Sequence, residues 1–420
     1  MGRTADSRQI IAYLIYTAVF IAPLSWFFLY VPLFPAAALA LYRRAKYGKQ
    51  EWRTGPSAGW AAGFLALSLL SALVSEAPAL SLFFWGMQPL MYAALYVLVL
   101  TYVDTEEKQK QLFGVMLAGA VCVVLYGIFQ FANIQSMASD IAAQDWVDPE
   151  RFPLLYRRMY STLENPNLCA GYLLMLIGLS GAAGLLESRR RRKWGLCAFT
   201  GVLVLCLLLT YSRGAWVSLG VMAAVLAMVY DRRIWFAFLA VPLVLLLYHG
   251  QITERFLSLF SGEDTSTLLR FALWESTEAM IADHPAAGVG WGLYYLAYPS
   301  YNFFIQNSET VIYHAHNMYL SVFAETGIPG GLCYFLFFLA HARLAVRLYR
   351  RGETSFIRAA GLGTVLAIAG MAAYGFGDYV LFGRALSFCF WAICALCAGC
   401  AENRSYEKPR QGIGFFYKQY

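Results

Sequence analysis

The stretch YHAHNMYLSVFAETGIPGGLCYFLFFLA, Tyr313 to Ala340, joins a polar segment with two histidines to a long apolar run. An apolar run of about 20 residues has the length of an α-helix that crosses a bilayer. Such runs recur along the chain of 420 residues, which is 60% hydrophobic and only 14% charged, with a mean hydropathy of +0.54. Soluble proteins carry about 25% charged residues. The sequence therefore predicts an all-α integral membrane protein.

About twelve apolar segments, separated by polar turns, predict one polytopic membrane domain over residues 1–420. The first run continues without a cleavage site, which favours a signal anchor over a cleaved signal peptide. The longest polar stretches are predicted outer loops at 135–165 and 251–316, and 402–420 forms a polar tail. The predicted spans are 10–28, 29–42, 57–75, 82–102, 112–134, 166–186, 194–211, 215–231, 234–250, 317–341, 356–378 and 384–401.

The uneven distribution of Lys and Arg predicts the orientation, because cytoplasmic loops collect positive charge. With the N-terminus inside, 25 of the 32 basic residues fall in cytoplasmic segments, including all seven lysines. Both termini are then cytoplasmic and both long loops lie outside. The net charge of +7 is scattered over turns, which argues against nucleic-acid binding. The basic residues left outside are Arg151, Arg157, Arg158, Arg213, Arg255, Arg270 and Arg384.

Two of these outer arginines are candidates for phosphate binding, since the planar guanidinium can bind phosphate in a bidentate way. Arg213, in LLTYSRGAWVSL, follows a short span and is expected at the outer membrane surface. Arg270 begins a predicted helix that ends near Asp283, before a glycine-rich turn at Gly288–Gly292. The alternatives are an arginine reaching to lipid headgroups at 213 and a helix-surface salt bridge at 270.

Aromatic and amide side chains are dense in two outer stretches, 151–172 and 294–313. Aromatic faces stack on sugars, and amides and carboxylates bind sugar hydroxyls at the edges. An interfacial aromatic belt would explain the tyrosines and tryptophans. It would not explain Asn165, Asn167 or Asn302, so these amides are candidates for a site.

The opening stretch holds two of the five histidines, His314 and His316. Residues two apart face opposite sides of an extended segment, whereas a zinc pair on one helix is four apart. The stretch offers no third ligand at metal spacing, so we predict no metal site. At the mouth of a predicted span, His316 with Asn317 is a candidate general base, because imidazole titrates near neutral pH. A histidine that only caps the loop is the alternative.

Several motifs in order resemble the bacterial O-antigen ligase superfamily, which also contains O-antigen polymerases and protein O-oligosaccharyltransferases. One is His316-Asn317 followed, after nine residues, by Gly327-x-x-Gly330. The others are YSRGAW, the helix of Arg270 ending in PAAGVGWG, and STLENPNLCAGYLL. The resemblance covers about residues 160–380.

The resemblance implies a GT-C-type membrane glycosyltransferase with a periplasmic loop that carries helices and with no metal or other cofactor. Such an enzyme transfers a glycan from undecaprenyl-pyrophosphate to an acceptor, lipid A-core in the ligases, at the outer side of the bacterial inner membrane among its lipids. The family's two pyrophosphate-binding arginines map onto Arg213 and Arg270, and its base onto His316. The residues expected to support the site are His314, Asn317, Asp378, Asn165 and Asn167.

Within the superfamily, the 251–316 loop and the compact chain without an added C-terminal domain favour a ligase. A polymerase that uses a second lipid-linked glycan as acceptor is the alternative. A secondary transporter or flippase would place ionisable groups at the bilayer midplane. Here they lie at the outer ends of spans or in outer loops, which favours an inverting glycosyltransferase.

Overall fold

The computed structural model describes residues 2–48, 51–133, 158–236, 265–303 and 311–407. The regular structure within these ranges is helical, with four short 3-10 turns between the α-helices. The α-helices are α1 (Gly2–Ile21), α2 (Tyr30–Tyr47), α3 (Ala58–Val74), α4 (Pro78–Met87), α5 (Pro89–Tyr102), α6 (Glu106–Ala132), α7 (Pro166–Leu186), α8 (Arg190–Leu209), α9 (Arg213–Val229), α10 (Thr265–Asp283), α11 (Tyr294–Ala297), α12 (Met318–Arg351), α13 (Ser355–Tyr374) and α14 (Arg384–Glu407).

Seven of these helical segments are long and apolar enough to cross a membrane, and three more are apolar but shorter. Eleven of the twelve predicted spans overlap α-helices of the structure. The span predicted at 234–250 lies almost wholly outside the described residues. The prediction of a helical membrane protein is therefore confirmed.

Two of the differences from the predicted spans change how the helices are divided. The first span was expected to continue to residue 28, but α1 ends at Ile21 and a turn leads to α2 at Tyr30. The span predicted at 82–102 is broken at Gln88, which has φ −123° and ψ −85°. Pro89 explains the break, because proline lacks an N–H and disfavours helical geometry in the residue before it.

The glycines of GIPGG bend α12 near its start. Gly327 has φ 69° and ψ 171°, which interrupts the helix. The kink frees the carbonyl groups of the preceding turn from the helix. The carbonyl of Ala324 accepts from the N–H of Val289 at 2.8 Å, and that of Glu325 accepts from Gly290 at 3.2 Å. The glycine-rich turn at 288–292 is therefore bonded directly to α12.

The side chain of Glu325 strengthens this attachment. It is only 2% exposed, and its carboxyl group accepts hydrogen bonds from the N–H groups of Gly292 and Tyr294. A Cβ atom at Gly288 would lie 2.5 Å from the backbone carbon of Glu325, so only glycine fits there. Glu325 and the GIPGG kink thus form one connection to the loop that precedes α12.

Helix α10 lies in this loop and ends at Asp283, where the sequence predicted its end. Leu273 and Met280 of α10 are fully buried against Ala315 and Ala324 in a small apolar cluster. The cluster holds α10 over the beginning of α12. Arg270, one turn before Leu273, is carried on the same helix.

The main core surrounds α7, α13 and α14. Within the apolar windows, 89% of the α14 residues and 78% of the α7 residues are buried, against 17% for α8. Gly178 and Gly363 allow close approach of α7 and α13, since a Cβ at Gly363 would lie 2.9 Å from the Cα of Leu179. Small residues serve this purpose between membrane helices. We call the end of the bundle where α7, α9, α12 and α14 begin the His316 end, and the opposite one the Arg8 end.

Candidate active site

His316 lies immediately before α12, at the mouth of the helix as predicted. Asn317 caps the helix, because its side-chain oxygen accepts from the N–H groups of Tyr319 at 2.9 Å and Leu320 at 3.1 Å. The N–H of Met318 donates to the carbonyl of Gly375 at 2.7 Å. These bonds fix the histidine against the turn that follows α13.

That turn provides the partner of His316. The Nδ1 atom of His316 lies 3.1 Å from Oδ1 of Asp378, which also accepts from the N–H of Tyr379 at 2.8 Å. Burial of the Asp378 carboxyl raises its pKa, but the hydrogen bond and charge of His316, with smaller contributions from His314 and Arg270, outweigh burial. The pKa of Asp378 is therefore lowered from 3.8, and the group is ionised at neutral pH.

An ionised carboxylate can only accept hydrogen bonds, so Nδ1 of His316 must be the donor. The neutral ring then carries its lone pair on Nε2. The His316 side chain is 37% exposed while that of Asp378 is 7% exposed. The pair thus consists of a buried orienting carboxylate and an accessible imidazole whose free nitrogen can take up a proton.

His314 contacts the same ring, which corrects the prediction that it points away. His316 has a left-handed φ of +49°, so the segment is not extended, and the two rings lie 4.4 Å apart. The backbone N–H of His316 donates to Nδ1 of His314 at 3.1 Å, which leaves the ring proton on Nε2. Burial above all, and then the charges of His316 and Arg270, lowers the pKa of His314 to about 3, despite the opposing charge of Asp378.

The site also contains the third potential metal ligand that the local sequence lacked. Ligand atoms of His314, His316 and Asp378 lie within 4.8 Å of one another. Asp378 follows 62 positions after His316 in the sequence, so spacing within the stretch could not reveal it. The hydrogen bonds assign Nδ1 of His314 as an acceptor and Nε2 as protonated, which leaves that ring no free lone pair. The arrangement fits an oriented base better than a cation site.

Arg270 approaches the pair from α10. Its charge acts on His314 and Asp378 and also on the hydroxyl of Tyr374. Within the ranges that the structure describes, no carboxylate lies at ion-pair distance from Arg270. Among these residues, this argues against the helix-surface salt bridge that was the alternative for Arg270.

Arg213 is the first residue of α9 and is only 9% exposed. The preceding Ser212 hydroxyl lies 2.6 Å from the hydroxyl of Tyr374, and a Cβ at Gly214 would lie 3.0 Å from the Tyr374 ring. The carbonyl of Tyr374 accepts from the N–H of Asp378 at 3.1 Å. Tyr374 therefore connects the start of α9 to the His316–Asp378 pair. The burial of Arg213 argues against a side chain that extends to headgroups.

Asn165 and Asn167 shape the loop beside Tyr374. The Asn165 side chain caps α7 by accepting from the N–H of Asn167 at 2.7 Å. The Asn167 side chain accepts from Arg158 at 2.7 Å, and Arg158 also donates to the carbonyl of Thr210 at 2.7 Å. Asn165 thus fixes the start of α7, and Asn167 holds the Arg158 side chain beside it. Sequence analysis did not single out Arg158 or Tyr374, because Thr210 and Ser212, which they contact, lie 52 and 162 positions away in the chain.

Backbone strain is concentrated at the same end of the molecule. Among the described residues, four non-glycine residues have left-handed φ values of 49–64°. Each such residue costs about 1–3 kcal/mol, and such residues cluster at functional sites. All four lie beside the segments described above: Ser161, Glu164, Tyr211 and His316.

The fold and the site define a polytopic helical membrane protein with an oriented imidazole and arginines at one end of its helices. Residues 198–335 match the family model described as O-antigen ligase. The matched segment includes Arg213, Arg270 and His316, whereas Asp378 lies beyond it. No curated protein matches the chain. The resemblance to the O-antigen ligase and polymerase superfamily is confirmed, and the match supports a membrane glycosyltransferase that uses lipid-linked glycans.

Proposed function

We propose that the protein transfers a glycan from undecaprenyl-pyrophosphate to a hydroxyl of an acceptor such as lipid A-core, as an O-antigen ligase. The observation that carries this proposal is the His316–Asp378 pair, in which Asp378 directs the free Nε2 of an accessible imidazole outward. Arg270 places an additional positive charge close to the pair. A base and a cation are the two groups that this transfer requires.

Arg213 and Arg270 are proposed to bind the donor pyrophosphate. As the glycosidic bond breaks, negative charge grows on the leaving pyrophosphate. Guanidinium groups held in place by α9 and α10 stabilise this charge more in the transition state than in the ground state. They supply without a metal ion the positive charge that the departing group needs.

His316 acts as the general base in a single displacement. The acceptor hydroxyl oxygen attacks the anomeric carbon, and its proton moves to Nε2 of His316. The bond between the anomeric carbon and the pyrophosphate oxygen breaks, and the pyrophosphate leaves with the bonding pair. One displacement inverts the anomeric centre, and the imidazolium, stabilised by Asp378, returns its proton to water.

The proposed location follows from the charge distribution. With both termini cytoplasmic, the His316 end faces the periplasm of the inner membrane, as do the loops at 135–165 and 251–316. Twelve crossings and a GT-C-type architecture are part of the same proposal. The candidate groups lie at the start of α9, the start of α12 and the end of α13. At these positions they can contact lipid-linked substrates at the membrane surface.

A ligase is favoured over a polymerase by the 251–316 loop, and a polymerase is the second candidate. A transporter or flippase is disfavoured, because His316, Asp378 and Arg213 lie at helix ends and not in the middle of the bundle.

The decisive experiment incubates the purified full-length protein with undecaprenyl-pyrophosphate glycan and either lipid A-core or a second lipid-linked glycan. We expect glycosylated lipid A-core. A lengthened lipid-linked glycan would identify a polymerase. Absence of product with either acceptor, in a protein that still binds the donor, would contradict the proposal.

A further inference from the structure

A cleft of about 600 Å³ lies beside the histidine pair at the His316 end. Aromatic rings form much of its wall, and a carboxylate and a guanidinium lie among them. A volume of about 300–1,000 Å³ with few polar groups is typical of ligand sites. The lining residues used in the argument are Trp26, Glu164, Leu168, Tyr295, Tyr313 and Arg384.

The cleft adjoins both the histidine pair and the loop that supports the arginine side of the site. The His314 ring lies 5.3 Å from the ring of Phe382, which lines the cleft. Asn167 contacts Arg158, and its carbonyl accepts from Tyr374 at 3.3 Å. The next residue, Leu168, lines the cleft. A ligand in this cleft would therefore lie next to the histidine pair.

Arg384 is a cation of the cleft that forms no direct ion pair with a described residue, although the Glu164 carboxylate lines the same cleft. Its guanidinium lies 4.5 Å from the centre of the Trp26 ring, and Trp26 donates to Glu164 at 3.2 Å. In the described ranges no carboxylate is at ion-pair distance from Arg384. Arg384 is also the first residue of α14, where the helix dipole disfavours a cation. An anionic ligand would offset both costs.

We propose that this cleft binds the acceptor, as an anionic glycolipid whose phosphate pairs with Arg384 and whose sugars stack on Tyr295 and Tyr313. The inference rests on the proposed function, which places the donor pyrophosphate at Arg213 and Arg270. The acceptor hydroxyl then reaches His316 from the cleft, whose wall residue Phe382 contacts His314, the neighbour of His316. The apolar wall, the paired tyrosine rings 5.6 Å apart and the single cation match an amphiphile with sugars and a phosphate.

The test measures binding of lipid A-core, without donor, to the full-length protein in nanodiscs. Arg384→Gln removes the charge and should weaken binding about 10-fold or more, as expected for a lost charge-assisted pair. Leu168→Trp fills the cleft and keeps the charge, and it should weaken binding as well. Enzymatically dephosphorylated lipid A-core should bind the wild type and Arg384→Gln equally. Arg191→Gln, an exposed arginine at the Arg8 end, is the matched control and should change nothing.

Three outcomes would overturn the inference. Unchanged lipid A-core affinity in both cleft variants would exclude the site. A loss of undecaprenyl-pyrophosphate glycan binding in Arg384→Gln would assign the cleft to the donor. Competition by phosphatidylglycerol as strong as that by lipid A-core would indicate a general lipid site. Binding is measured without turnover, so the two proposals can fail separately. If the wild-type protein binds lipid A-core through Arg384 but transfers no glycan, only the proposed transferase function is contradicted.

Discussion

Two aspartates, at opposite ends of the helices, both have a lowered pKa, but their partners differ. At the Arg8 end, burial raises the pKa of Asp104, and the hydrogen bond and charge of Lys108 with the charge of Arg8 lower it more. At the His316 end, histidine takes the place of lysine beside Asp378. Lysine and arginine side chains are permanent cations near neutral pH, whereas an imidazole can lose its proton.

The surrounding charges show the same contrast. Arg8 and Arg43 share the carboxylate of Glu51 at 2.6 and 3.0 Å, and Lys108 lies 2.7 Å from Asp104. Three cations here share two carboxylates, and these ion pairs fasten the helix ends. At the His316 end, Arg270 has no such partner among the described residues. The ion pairs at the Arg8 end therefore indicate a structural role. An arginine without a described carboxylate partner at the His316 end indicates a binding site for an anionic substrate.

The first prediction tests which end faces outward. With the proposed topology, a cysteine introduced at Ser300 should be labelled by a membrane-impermeant reagent in intact spheroplasts. A cysteine at Ser188 should be labelled only after lysis. Both positions are exposed, which makes them a matched pair. The reverse pattern would invert the orientation and move the candidate site to the cytoplasm.

His316→Ala should have the largest effect on turnover. Loss of a positioned base costs about 10²- to 10⁴-fold in kcat, while donor binding should be nearly unchanged. His314→Ala should lose less, since His314 only contacts the base. EDTA should leave the wild type unaffected. Inhibition by EDTA that zinc reverses would restore the metal interpretation of His314, His316 and Asp378.

Asp378→Asn tests the negative charge behind His316. Oδ1 of Asp378 faces both the N–H of Tyr379 and Nδ1 of His316, and an amide oxygen at that position can still accept from both. The neutral amide, however, no longer stabilises the imidazolium that forms when His316 takes up a proton. We expect kcat to fall about 10-fold, which is less than the 10²-fold or more expected for loss of the base itself. Full kcat with normal folding would show that the Asp378 charge does not assist the base.

Arginine-to-lysine substitutions compare the two ends directly. Arg213→Lys and Arg270→Lys should each reduce turnover about 10- to 150-fold, which corresponds to one lost charge-assisted pair of about 1.5–3 kcal/mol. Lysine keeps the charge but not the planar fork. Arg8→Lys is the matched control and should leave turnover unchanged. Near-normal turnover in both outer variants would remove the pyrophosphate role.

The smallest expected effect is on stability at acidic pH. The pKa of His314 falls from 6.5 to about 3 on folding. Between these values the unfolded chain binds a proton that the folded protein does not, so stability is complete above pH 6.5 and decreases toward pH 3. His314→Asn should reduce the slope of the unfolding free energy against pH. The reduction corresponds to at most one proton, about 1.4 kcal/mol per pH unit. Detergent-solubilised unfolding curves at several pH values measure it, and equal slopes would contradict the assignment.

The sequence predicted most of the helices, because a long apolar run leaves few other folds possible in a bilayer. It also identified His316 and Asn317 correctly at the mouth of α12. It could not show the pair of rings, because the left-handed backbone of His316 reverses the alternation that spacing assumes. Nor could it place Tyr374 against Ser212, since the hydroxyls meet across 162 positions of the chain.

The attachment of the glycine-rich turn to the kink of α12 makes separation of these two segments costly. Lifting the turn would remove the donors of the Ala324 carbonyl and of the Glu325 carboxyl group, while the Glu325 carbonyl would keep only the Ser71 hydroxyl at 2.5 Å. Each buried group left without a donor costs about 1–3 kcal/mol. We therefore expect any movement of this loop during turnover to carry the start of α12 with it.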